Sequence, residues 1–145
     1  MSLAGGVAGR TLYFPCGTYT TSVELLYDLR TTNAGKPLWI VGDGKCSVIR
    51  TTGATNRAIR ILGANGISAL DGGIDNITIV SGNSGLADSA ITLENIADWW
   101  IDRVIIDGKV TGFARGIWAR GSQKGEIHRG IIQNCGDGVV LDLST

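Results

Sequence analysis

Asp75, Asp102 and His128 stand at equivalent places in three similar segments, Ile74-Asp75-Asn76, Ile101-Asp102-Arg103 and Ile127-His128-Arg129. A retaining glycosidase places two carboxyl groups about 5–5.5 Å apart. Strands stacked at about 4.8 Å would bring Asp75 and Asp102 close to that separation. Any stack with acidic residues at equivalent positions generates the same pair, however, and a bend between strands needs polar residues such as Asn76, Arg103 and Arg129. The structural reading of this group is therefore preferred to the catalytic one. Two aspartates and an asparagine do not supply the 6–8 oxygens that calcium takes, and His128 has no cysteine at ligand spacing. No metal site and no cofactor are expected.

A second group lies on another strand. Glu94, Arg120 and Asp142 recur together, and Trp118 neighbours Arg120. A tryptophan face stacks on a sugar ring while charged neighbours hydrogen-bond to hydroxyls, so these four residues are the candidate substrate-binding set. The competing reading, an alternating charge ladder worth little stability, is favoured over it. Trp99 and Trp100 are adjacent, so on a strand one faces in and the other out; the outer one is a candidate sugar or partner contact. Cys16, Cys46 and Cys135 are an odd number without zinc-ribbon spacing and read as small buried hydrophobes. Gly42-Asp43-Gly44-Lys45 lacks the rest of a phosphate loop and reads as a turn.

The elements that must carry these residues are short. Apolar stretches run over Leu38 to Val41, Ala58 to Leu62, Ile74 to Val80, Ala90 to Leu93, Trp99 to Ile106, Gly116 to Ala119, Ile127 to Ile132 and Gly138 to Leu143. Most are rich in β-branched or aromatic residues and are bounded by Gly, Asp or Asn, which favours strands. The stretches beginning at Ile74, Ile101 and Ile127 are offset by about 27 and 26 residues, and those containing Ile91, Ile117 and Val139 by about 26 and 22. Two strands recurring in fixed order predict the coil of a solenoid. Alternation sets Ile91, Ile117, Val139, Leu93, Ala119 and Leu141 inward, and Thr92, Trp118, Val140, Glu94, Arg120 and Asp142 outward.

Bulk composition agrees. Thirteen basic residues balance thirteen acidic ones, so no global field favours nucleic acid or an anionic membrane surface. No apolar run approaches the ~20 residues of a membrane span, and Met1-Ser2-Leu3-Ala4-Gly5-Gly6 lacks a signal-peptide core. The chain reads as soluble, as one domain over residues 1–145, with irregular opening coils in 1–50 and regular coils in 51–145. Its 22 glycines and two prolines imply many tight bends.

The segments GRTLYFPCGTYTTS and KPLWIVGDGKCSVIR resemble the opening coils of the pectate-lyase superfamily, which includes bacteriophage tailspike depolymerases. IDNITIVSG, WIDRVIIDG and the stretch from Gly116 to Leu143 are similar to its repeating coil. The resemblance implies an all-β, right-handed parallel β-helix, here short and with open coil ends because only Met1 to Arg10 precede Thr11 and the chain stops at Thr145. Open ends template pairing with other chains, so a homo-oligomer is expected, a trimer by analogy with tailspikes. The functions left open are a carbohydrate-binding or structural module of tailspike type without complete catalytic machinery, or a polysaccharide lyase or glycoside hydrolase. The first is preferred, since no convergent cluster of acids and bases is visible. A virion tail or extracellular location fits either.

Overall fold

The computed structural model describes residues 10–31, 36–52, 57–64, 68–82, 87–109 and 112–142. Those residues form strands and turns, and no helix occurs among them. The first coil comprises β1 (Arg10–Phe14), β2 (Gly17–Thr21) and β3 (Leu25–Asp28); the second β4 (Leu38–Gly42), β5 (Ser47–Thr51) and β6 (Ile59–Leu62). The third is built from β7 (Ser68–Asp75), β8 (Thr78–Ser81) and β9 (Ala87–Glu94), and the fourth from β10 (Ile96–Asp102), β11 (Ile105–Asp107) and β12 (Phe113–Arg120). The last holds β13 (Gly125–His128), β14 (Ile131–Gln133) and β15 (Cys135–Asp142). Equivalent strands stack in parallel into three five-stranded sheets, β1-β4-β7-β10-β13, β2-β5-β8-β11-β14 and β3-β6-β9-β12-β15. The molecule is a parallel β-solenoid.

The expected columns are present. Ile74, Ile101 and Ile127 pair in register, as do Ile91, Ile117 and Val139. Parallel stacking repeats each inward position one coil further on, so columns such as Leu25, Ile59, Ile91 and Ile117 fill the lumen, each 8% exposed or less. Each coil nevertheless has three strands rather than two. Ile74 to Val80, Trp99 to Ile106 and Ile127 to Ile132 are each broken once, at Asn76, Arg103 and Arg129, whose φ values of 55°, 50° and 45° turn the chain through a corner. The polar residues at those places do serve as bends. The opening coils, read as irregular, follow the same three-strand plan. Met1 to Gly9 and Leu143 to Thr145 lie outside the described residues.

The cysteines require a correction. Cys16 and Cys46 are not separate buried hydrophobes but form a disulfide between the β1–β2 and β4–β5 corners, with Cα atoms 4.7 Å apart. Gly17 pairs with Ser47, so the two cysteines occupy the same place on successive coils. Cys135 is free and half-buried, and burial pushes its thiol above the usual range. Gly42 closes β4, and Asp43 to Lys45 lie in the turn between β4 and β5, as the sequence indicated.

Candidate functional site

Two outward faces carry the residues singled out by sequence. On the third sheet, Arg120 pairs in register with Glu94 on one side and Asp142 on the other, while Trp118 pairs with Thr92 and Val140. The predicted column is therefore assembled. Its chemistry is partly spoken for. Glu94, though on an outward position, is only 9% exposed, because Arg60 lies over it and donates from Nε and Nη2 at 3.0 Å each. Thr92, also outward, is fully buried and shares a hydrogen bond with Ser89. Guanidinium groups approach the Trp118 ring, Arg115 at 4.4 Å and Arg120 at 5.7 Å from its centroid. Cations over an indole face occupy the surface on which a sugar would stack. Arg115 is itself fixed by Asp88 at 2.7 Å, and Asp88 also accepts from Arg57. This face is a woven ion-pair surface.

On the first sheet, Asp75, Asp102 and His128 share one column. Each aspartate is held by the arginine of the next corner. Arg103 donates to both oxygens of Asp75, at 3.0 and 2.5 Å, and Arg129 in the same manner to both oxygens of Asp102. The hydrogen bond from Arg129 holds the Asp102 carboxyl below the usual carboxylate range. A glycosidase acid must instead be kept protonated near neutrality. Asp102 is thus suited to bracing a corner, not to donating a proton, and Asp75 braces its own corner through Arg103. His128 Nε2 lies 2.7 Å from a Glu126 carboxylate oxygen, both side chains being more than half exposed. No group of three or more metal-ligating side chains occurs among the described residues.

Acid should weaken these corners. Asp107 is likewise depressed, chiefly by Asn134 Nδ2 donating to it at 2.9 Å. A carboxyl lowered by folding binds its proton more readily in the unfolded chain, whose aspartates titrate near ~3.9. The stabilisation from Asp102 and Asp107 is complete above that pH and is lost as pH falls through the lower folded values. Urea midpoints should therefore drop between pH 5 and pH 2, and Asp107→Asn should flatten that slope.

The same outward face holds what sequence reasoning only half found. Trp99 and Trp100 divide as expected, Trp99 buried at 5% and Trp100 exposed at 37%. Trp39, not singled out from sequence, is equally exposed and lies in the same column, with Gly73 between them. Residues two coils apart have backbones separated by about 9.6 Å, yet the two indoles converge over the buried Gly73 to ring centroids 6.2 Å apart with planes 18° from parallel. A shallow groove of about 500 Å³ runs beside them, bordered by Asp75, Asp102, Glu126, His128 and Arg129. An aromatic pair edged by donors and acceptors is thereby presented on an open, rigid sheet.

No family model matches the chain, and neither the curated proteins nor the solved structures contain a match to it. The parallel solenoid stands on the structure itself; the likeness to pectate lyases and tailspikes gains no support from these comparisons.

Proposed function

We propose that this β-helix is a carbohydrate-binding module without cleavage chemistry of its own, and that a glycan lies along the Trp39–Trp100 face. The observation carrying this reading is the exposed, near-parallel indole pair beside Asp102, Glu126, His128 and Arg129. Sugar rings have apolar C–H faces and polar rims, so they bind where flat aromatic carbon is edged by hydrogen-bonding groups. The scaffold supports this use, because strands hold side chains more rigidly than loops do. Cleavage by a lyase or hydrolase gains no argument from Asp75 and Asp102, whose oxygens are engaged by arginines.

Affinity electrophoresis and tryptophan fluorescence against a panel of neutral and acidic polysaccharides test the proposal. Trp39→Ala and Trp100→Ala should each weaken binding by about tenfold or more, as loss of an aromatic anchor does. Trp118→Ala should leave it within about twofold, since its ring is already covered by arginine. Loss confined to Trp118→Ala would move the site to the Glu94, Arg120 and Asp142 face. Absence of binding across the panel would remove the reading.

A further inference from the structure

The first coil is unevenly attached to the rest. No residue from Arg10 to Glu24 is buried, and the inward side chains Leu12, Phe14 and Tyr19 are only half-covered. They line an open mouth of about 400 Å³ with Leu25 and Ile49. One coil further in, Leu38, Ile40 and Ile49 are 2% exposed or less. The third strand of the first coil differs from its two predecessors, because Leu25 and Tyr27 are buried, as is Leu29 just beyond it. Strands β1 and β2 thus rely on ladder hydrogen bonds, on the partial packing of Leu12 and Phe14 against the core, and on the corner joining them.

That corner is where the disulfide sits. Cys16 and Cys46 are both exposed, and the surrounding clasp is polar and solvated. Tyr13 donates its hydroxyl to Asp43 at 2.6 Å, and the Cys16 amide donates to the other Asp43 oxygen at 3.1 Å. The Ser47 hydroxyl donates to the Phe14 carbonyl at 2.8 Å. The two bonds to Asp43 are open to water and contribute little net stability, while the bond from the buried Ser47 is a single neutral one. Beside these and the Gly17 amide donating to the Cys46 carbonyl, the covalent link is the strongest tie between this corner and the next coil.

We infer that the Cys16–Cys46 bond is a thiol-responsive latch: its reduction releases β1 and β2 from β4 and β5 while β3 and the inner coils stay folded. The reductant is a dithiol. Its thiolate attacks one cysteine sulfur, the S–S bond breaks as a mixed disulfide forms, and closure of the reductant's own disulfide frees the second cysteine. The protein gains two electrons and two protons, which the dithiol loses. Exposure of both cysteines gives the reagent access, and a segment of few buried contacts opens without global unfolding. Release would bare the edges of β4 and β5, which then offer unpaired backbone groups.

Hydrogen exchange of the full chain, with and without dithiothreitol, tests the latch, with thiols counted under denaturing conditions alongside. Protein purified without reductant should show one free thiol, Cys135, and three after treatment. On reduction, amide exchange over residues 10–21 should accelerate by at least about tenfold, while Tyr27 and the Ile91–Leu93 and Ile117–Ala119 segments stay unchanged. The Cys16→Ser, Cys46→Ser double variant should exchange like the reduced protein and ignore dithiothreitol. Complete reduction without acceleration in 10–21 would overturn the inference. So would acceleration spread evenly through the inner coils, or three free thiols before any reductant is added.

Discussion

Gly72→Ala should destabilise the protein by about 3 kcal/mol or more, at the upper end of what overpacking a core costs. A Cβ at this position would lie 2.1 Å from the Leu38 carbonyl oxygen and within 3 Å of the Leu38 carbonyl carbon and amide nitrogen. All three are backbone atoms of the neighbouring strand β4, so no rotamer change relieves the overlap and β4 must part from β7. The sequence logic lies in the next coil, where Trp99 and Trp100 pair in register with Gly72 and Gly73. The Trp39 and Trp100 indoles meet over Gly73, while the Trp99 ring lies over Gly125 of the following coil, so glycines stand on both sides of Trp99 and Trp100. Gly73 is bound by the same constraint, its Cβ falling 2.2 Å from the Trp100 carbonyl oxygen. Chemical unfolding of Gly72→Ala measures the loss. Gly138→Ala is the control, because a Cβ there meets nothing within 4 Å, and it should be neutral or stabilise slightly.

The inward columns were legible because each coil repeats one apolar position at nearly constant spacing, so Ile91, Ile117 and Val139 announce their own register. The second sheet was not, because its strands follow the first after a single corner. At Arg103 and Arg129 that corner is made by a long charged residue in the left-handed region, which residues other than Gly, Asn and Asp seldom visit. A run such as Trp99 to Ile106 therefore reads as one strand. The disulfide was hidden for a related reason. Cys16 and Cys46 become neighbours only once the PCGTY turn is aligned with the GKCSV turn, and the opening coils lacked the isoleucine columns that fix such an alignment. The aromatic pair was half visible. Trp100 declared itself by alternation with Trp99, but Trp39 joins it only across the intervening Gly73, two coils and two unequal connections away. The column of Glu94, Arg120 and Asp142 was read in the right register, yet the partner that covers Glu94 is the diagonal neighbour Arg60.

That diagonal pair carries the second large effect. Arg60→Met should cost about 2–3 kcal/mol, below the ~3–5 kcal/mol typical of opening a fully buried pair. The discount has two sources, since the Arg60 side chain is 24% exposed and Arg57 remains 4.0 Å from Glu94. Most of the loss comes from the carboxylate left behind, its side chain 11% exposed and stripped of two charge-assisted hydrogen bonds. Glu94→Gln added to Arg60→Met should therefore recover part of the stability, because an amide is far cheaper to bury than an unpaired charge. Glu94→Gln alone should destabilise, since it leaves Arg60 with only the longer 3.7 Å contact to Glu24 as a charged partner. A double-mutant cycle by urea unfolding isolates the coupling. Additive losses would show that Arg60 merely shields the sheet with its methylene stem, whereas recovery in the double variant identifies the ion pair as what closes this face around Glu94 and Thr92.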